Sequence, residues 1–380
     1  MTRDSPRLLL VLVVTVATIA GGGLATADGT TDSMVDHESD QSACSFPLSV
    51  QDTTGAEITI EDRPARIVAL QPSDAQILWE IGADDRVVGM PQGPTTGYLN
   101  DTDGITNIKN ADGTVDVETV TNLSADVVLA ANVTKSGTID QLRSTGTTVY
   151  HFGEVQSMEE TYRNVNRTGQ IVGSCGAAAD RVAAMQERLD RIQQAVADRD
   201  EPRVLYLFYG YTAGDDTHIN SMIEIAGGEN VAASAGLTSY QPISEEVVVV
   251  NDPQWIVQPS DAPPAAGAPY NDTTALQQGQ VLQVNTNYAN QAGPRVVNVV
   301  ERMAQSFHPA AFDENGDPIV DRTQTEAPSS TETPMDSTTT DTPTPQTTTT
   351  AADGPGFSGL IALVGLLGAI VFLGVRRKGV

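Results

Sequence analysis

The chain has 380 residues, with 49 acidic against 21 basic side chains and a formal charge of −28. A surface that acidic repels nucleic acid and anionic membranes, and it suits concentrated salt, where the Debye length falls to about 3 Å near 1 M. The four histidines, His37, His151, His218 and His308, stand in separate regions, and no HExxH, GxSxG or phosphate-loop pattern occurs, which argues against the hydrolases and nucleotide-binding enzymes those motifs mark.

Residues 1–27 read as a secretory signal. Arg3 and Arg7 precede a short apolar core, and Ala25-Thr26-Ala27 is a small-x-small cleavage site. The core falls short of the ~20 residues a membrane span requires, so the chain is expected to be exported. Residues 28–49 form a linker that contains Cys44. With Cys175 it makes the only cysteine pair, and outside the cell such a pair favours a disulfide. Cys44 lies too far beyond the signal core to suit a lipid-attachment cysteine. Five N-x-S/T sequons (Asn100, Asn122, Asn132, Asn166, Asn271) are candidate glycan sites on an exported protein.

Residues 50–156 alternate strand and helix. The run RIVAL (66–70) predicts a strand, and SDAQILWEIG predicts a helix with a capping box at Ser73 and Gln76, a face of Ile77, Leu78 and Ile81, and a stop at Gly82. Strands are predicted at 86–90, 125–130 and 147–152, and helices at 116–123 and 139–144. This is the pattern of a parallel sheet covered on both faces. Residues 157–200 are nearly all helix-forming, with a break near 173–176. Residues 201–310 return to alternation, with strands at 203–209, 255–258 and 281–284 and helices at 221–226, 245–250 and 295–307. The halves rhyme: VETVTNLSADVVLA (117–130) and EEVVVVNDPQWIVQ (245–258) each run from an acidic residue through a short helix into a strand. The expected fold is α/β: two lobes with parallel-type sheets joined by one long helix. A single continuous sheet is the alternative.

Residues 311–354 become rich in Thr, Ser, Pro and acidic residues and read as a solvated stalk. Residues 355–380 carry Pro355-Gly356-Phe357, an apolar run at 358–375 and the basic end Arg376-Arg377-Lys378. By the positive-inside rule the basic end stays cytoplasmic, and everything before Pro355 lies outside. The order of stalk, Pro-Gly-Phe, apolar span and basic end resembles the PGF-CTERM tail of archaeal surface proteins. That resemblance implies processing by an archaeosortase-like enzyme and a membrane anchor on the outer face of a haloarchaeal cell.

The blocks RIVALQPSDAQILWEIGADDRVVGM, VETVTNLSADVVLA, MIEIAGGENVA and EEVVVVNDPQWIVQ together resemble the class III substrate-binding proteins of ABC transporters, which carry cobalamin, iron-siderophores or haem. The resemblance implies a ligand held between the lobes at the carboxyl ends of the strands. The candidate lining is Gln71, Pro72, Ser73, Tyr98 and Asn132 from the first lobe, with Tyr209, Tyr211, Tyr240, Tyr288 and Arg295 from the second. It implies docking on the transmembrane permease through one glutamate per lobe, Glu118 and Glu246, with a separate cytoplasmic ATPase driving import. No catalytic residue, metal ligand or cofactor is expected; the ligand is a metal chelate. Tyrosine-rich, cation-poor loops favour a corrinoid over a siderophore or haem, although the first-lobe loops lack the tryptophans that cobalamin binders often carry.

Two other classes are weighed against this. An enzyme or metal site would have to rest on Asp215-Asp216-Thr217-His218, which reads better as a hydrated turn. A surface or adhesion protein would share the stalk and anchor, but such chains favour tandem β-sandwiches, which this one lacks.

Overall fold

The computed structural model describes residues 44–320. The signal, most of the stalk and the apolar tail anticipated above lie outside them, and among the described residues no helix is long and apolar enough to cross a membrane. The described chain opens with an antiparallel hairpin, β1 (Leu48–Gln51) on β2 (Glu57–Ile60). The first lobe then builds a parallel sheet from β3 (Ile67–Ala69), β4 (Val87–Met90), β5 (Thr106–Asn107), β6 (Val127–Ala130) and β7 (Val149–His151). Their spatial order is β5-β4-β3-β6-β7, with α1 (Pro72–Glu80), α2 (Val117–Asn122) and α3 (Ser136–Ser144) in the crossovers.

The connection between the lobes is two helices rather than the expected single one. α4 (Met158–Val172) ends at Gly173, whose φ of 71° turns the chain left-handed, and α5 (Cys175–Val196) runs back against it. The second lobe contributes β8 (Arg203–Tyr206), β9 (Tyr211–Ala213), α6 (His218–Ile225), β10 (Glu229–Asn230), α7 (Val231–Ser234), β11 (Tyr240–Pro242), α8 (Glu245–Asn251), β12 (Trp255–Pro259), α9 (Thr274–Gln278), β13 (Val281–Val284), α10 (Thr286–Ala289) and α11 (Val296–Phe307). Its parallel sheet has the order β10-β8-β12-β13, and β9 pairs with β11 in a separate antiparallel ribbon. Two distinct parallel sheets rule out the single continuous sheet.

Side-chain alternation explains how the sheets are held. Successive strand residues point to opposite faces. In β3 and the residue after it, Ile67 and Ala69 enter one large core while Val68 and Leu70 enter another; in β6, Val127 and Leu129 divide the same way from Val128 and Ala130. In the second lobe Val204, Tyr206 and Val257 join the large core, and Leu205, Leu207 and Ile256 form a smaller outer one. Burial on both faces is why these strands read as unbroken apolar runs. The large core also takes in Ile77 and Leu78 of α1, Met185 and Leu189 of α5, Ile219 of α6 and Val300 of α11. One apolar layer therefore joins both lobes through the helices.

The rhyme between the halves extends further than the two acidic blocks. Arg66, just before β3, donates from Nε and Nη2 to the carbonyl of Leu123, at 3.1 and 2.7 Å, at the end of α2. Arg203, opening β8, donates from Nε to the carbonyl of Asn251 at 2.7 Å, at the end of α8. Each guanidinium satisfies carbonyls that have no partner within the helix. The sequence gives no local sign of this, because each arginine lies some fifty residues from the helix it closes. Cys44 and Cys175 are disulfide-bonded, their Cα atoms 5.5 Å apart.

Candidate functional site

All strands of both main sheets are parallel, so each lobe presents its carboxyl ends along one edge, the place where open α/β sheets bind ligands. The anticipated residues fall into three groups.

The first is the rim of the first lobe. Helix α1 does not start at Ser73: Gln71 is the N-cap, and Asp74 accepts the Gln71 N–H at 3.0 Å. Pro72 takes the first helical position, where its missing N–H costs nothing, and Ser73 follows it, half-buried. Gln71 Nε2 donates to Thr134 Oγ1 at 3.0 Å, while its Oε1 accepts from Lys109 Nζ at 3.4 Å. Asp74 Oδ2 also accepts the Ala131 N–H at 3.1 Å, tying α1 to the loop leaving β6. Burial pushes Asp74 up to about 7 despite these two donors. Asn132 and Val133 stand exposed on that loop, Val133 at 62%.

The second group is a seam between the lobes. Tyr98, Tyr288 and Arg295 meet there, and their polar atoms are committed to the protein. Arg295 stacks over the Tyr98 ring at 4.7 Å and the Tyr288 ring at 5.4 Å, and the rings meet edge to face. Its Nε donates to Glu80 Oε1 at 2.6 Å, and its Nη1 to the Tyr288 hydroxyl at 3.2 Å. Tyr98 donates to Gln291 Oε1 at 2.6 Å, and Gln76 donates to both at 2.9 and 3.1 Å. Gln76 therefore does not cap α1; it is buried and spans the lobes. Burial pushes the Tyr98 hydroxyl up to about 12.

The third group is aromatic and lies at the end of β8. Tyr209 and Gly210 form a two-residue turn with φ of 50° and 81°, closed by reciprocal backbone bonds between Phe208 and Tyr211 at 3.0 and 2.8 Å. This is the geometry favoured in tight hairpins, where glycine is welcome and tyrosine is not. The Tyr209 hydroxyl donates to the Asp261 carbonyl at 2.7 Å, and the residue is 37% exposed. Phe208, not anticipated from sequence, is the hub: its ring lies 6.1 Å from Tyr211 and 6.0 Å from Tyr240. The run FYGY was its only local signal.

Tyr240 is 40% exposed, yet its hydroxyl is tucked against His218 Nδ1 at 3.1 Å. His218 Nε2 contacts the Ala289 carbonyl at 2.9 Å. A carbonyl only accepts, so Nε2 carries the proton, and Nδ1 accepts from Tyr240. Burial lowers the His218 pKa and keeps the ring neutral. Both nitrogens are used, while Asp215 and Asp216 face solvent; the histidine serves the tyrosine rather than a metal. Burial first, and then the carboxylate of Glu154 on the loop leaving β7, raise the Tyr240 pKa.

Glu118 and Glu246 occupy matching places. Each is exposed in the first turn of its helix, α2 capped by Asp116 and α8 by Ser244, and each is followed two residues on by a fully buried valine, Val120 or Val248. Two shallow hollows lie elsewhere, one beside Asp84 and Asp103 and one beside Tyr162 and Gln186; neither carries an anticipated residue.

Two parallel α/β sheets, a paired-helix bridge and an aromatic cluster at the carboxyl end of β8 are the architecture of a two-lobed binding protein. The chain belongs to the periplasmic binding protein family, whose family model matches residues 67–262. A cobalamin-binding protein of Halobacterium salinarum is 38% identical over 315 residues, covering 79% of this chain and 84% of that protein. An uncharacterized ABC transporter substrate-binding lipoprotein of Bacillus subtilis is 28% identical over 71% of this chain and 88% of its own length. Among solved structures, the apo form of the periplasmic haem-binding protein RhuT of a Roseiflexus species superposes with a TM-score of 0.58 at 23% identity, covering 64% of this chain and 98% of that one. That likeness speaks to the fold.

Proposed function

We propose that this chain is the cell-surface substrate-binding protein of an ABC importer. It captures a metal chelate, a corrinoid in the first instance, between its lobes and passes it to a permease powered by a cytoplasmic ATPase. The observation that carries the reading is the aromatic edge at the end of β8: Tyr209 held at positive φ, with Tyr211 and Tyr240 around Phe208. Backbone strain kept at an exposed aromatic residue points to function, and flat amphipathic rings suit a large ring-bearing ligand. The cobalamin-binding relative supports the choice of ligand.

In this reading the ligand lies between that edge and the Gln71–Asn132 rim, while Tyr98, Tyr288 and Arg295 set the spacing of the lobes. Glu118 and Glu246 meet arginines of the permease as planar bidentate pairs. The protein carries out no chemical step. In the same reading the tail at 355–380 is removed by the processing enzyme, and the lipid that replaces it holds the protein outside the cell, beside its permease.

Calorimetry of the purified exported domain in molar salt tests the ligand; saturable binding of cyanocobalamin is expected, and binding of haem or a ferric hydroxamate alone would move the assignment within the family. Reversing both charges, Glu118→Arg with Glu246→Arg, should abolish uptake with ligand affinity intact. Loss of affinity in that double variant would remove the docking assignment.

A further inference from the structure

Two lysines fall among the described residues, Lys109 and Lys135, in a chain of formal charge −28. Both lie on loops leaving the first sheet, Lys109 just past β5 and Lys135 at the N-cap of α3. Lys135 is exposed, and Lys109 is half-buried.

Lys109 is held in place but under-used. Thr134, itself buried, pins the Gln71 amide so that Oε1 turns to the ammonium. That bond, at 3.4 Å, is the one side-chain hydrogen bond of Nζ among the described residues, and no carboxylate there lies within 4.0 Å of it. An ammonium has three donors, so two are left without a protein partner. Partial burial of a cation is costly unless something anionic completes it, and burial does lower the Lys109 pKa. The counter-charge that acts on it is Asp74. Its carboxyl, pushed up to about 7 by burial, cancels only part of the lysine's charge near neutral pH.

We propose that Lys109 is the anion-reading residue of the ligand site: its ammonium takes an anionic oxygen, phosphodiester or carboxylate, carried by the bound chelate, with Gln71 as the residue that positions it. This rests on the importer reading and deepens it. A half-buried contact of this kind survives in strong salt, where an exposed lysine would be screened.

The test uses the exported domain, wild type and the variants Lys109→Gln and Lys109→Arg, titrated in molar salt with three probes. Cyanocobalamin carries a phosphodiester, dicyanocobinamide is the same corrin without the nucleotide that the phosphodiester joins, and haem carries carboxylates. If the anion is the phosphodiester, Lys109→Gln weakens cyanocobalamin on the order of tenfold or more, as for a charge-assisted bond, and leaves dicyanocobinamide unchanged. If it is a carboxylate, the loss falls on haem instead. Lys109→Arg, which keeps the charge and guards against a mere folding defect, should retain most of the affinity. A Lys109→Gln protein that binds every probe as the wild type does, or loses all three equally, overturns the proposal and leaves the importer reading standing. A wild type that binds none of the three, and no ferric hydroxamate either, overturns both.

Discussion

Arg295 Nε donates to Glu80 Oε1 at 2.6 Å, and the other oxygen of Glu80 accepts from Arg181 at 2.6 Å. One carboxylate at the end of α1 therefore ties the first lobe to the start of α11 in the second and to α5 of the bridge. Its side chain is 15% exposed and those of the two arginines 22% and 31%, so the charges are shielded enough to need one another.

Glu80→Gln keeps the shape and removes the charge, leaving two partly buried guanidinium groups without their carboxylate. We expect a loss of about 2–4 kcal/mol in denaturant unfolding with ligand affinity changed only a few-fold. A variant as stable as the wild type would show that the seam does not hold the lobes.

Tyr209→Gly separates strain from binding. The substitution relieves about 1 kcal/mol of left-handed backbone cost and loses one hydrogen bond to the Asp261 carbonyl, worth about as much. Stability should stay within about 1 kcal/mol of wild type by thermal unfolding, while ligand affinity falls roughly ten- to a hundredfold with the loss of the ring. Unchanged affinity would take Tyr209 out of the site.

Asp74 gives stability an unusual slope with pH. Its pKa is about 7 in the fold against 3.8 for an unperturbed aspartate. Between those values the folded protein holds a proton that the unfolded chain has released, so this group's contribution falls as pH rises from about 4 to about 7 and is flat above. Asp74→Asn cannot titrate. Relative to wild type it should be equal near pH 4 and more stable above pH 7, by up to about 4 kcal/mol. Parallel denaturant curves at the two pH values check this, and a difference that does not grow with pH would place the carboxyl as ionised.

The Cys44–Cys175 bond closes a separation of 131 residues. Replacing both by serine releases that constraint on the unfolded chain, with an expected loss of about 5 kcal/mol in the chain-entropy view. Unfolding with and without reductant should reproduce it in the wild type. Equal stabilities would mean that the bond contributes nothing beyond native packing.

The order of elements was legible because its signals are local. Four-residue apolar runs become β4 and β6, Asp116 and Ser244 cap the helices that follow them, and Gly173 turns the chain between α4 and α5. The likeness of residues 117–130 to 245–258 carried the two-lobed plan, since a repeated local pattern needs no knowledge of what packs where. Strands such as β5, β9 and β11 were not legible: two or three residues long and, unlike β3, without an apolar run, they exist only through pairing. The tertiary structure alone decided which tyrosines are available. Tyr98 meets Gln291 across 193 positions and Gln76 meets Arg295 across 219. A side chain's residue type states which bonds it can make, but whether those bonds are already filled depends on chain segments that only folding brings together.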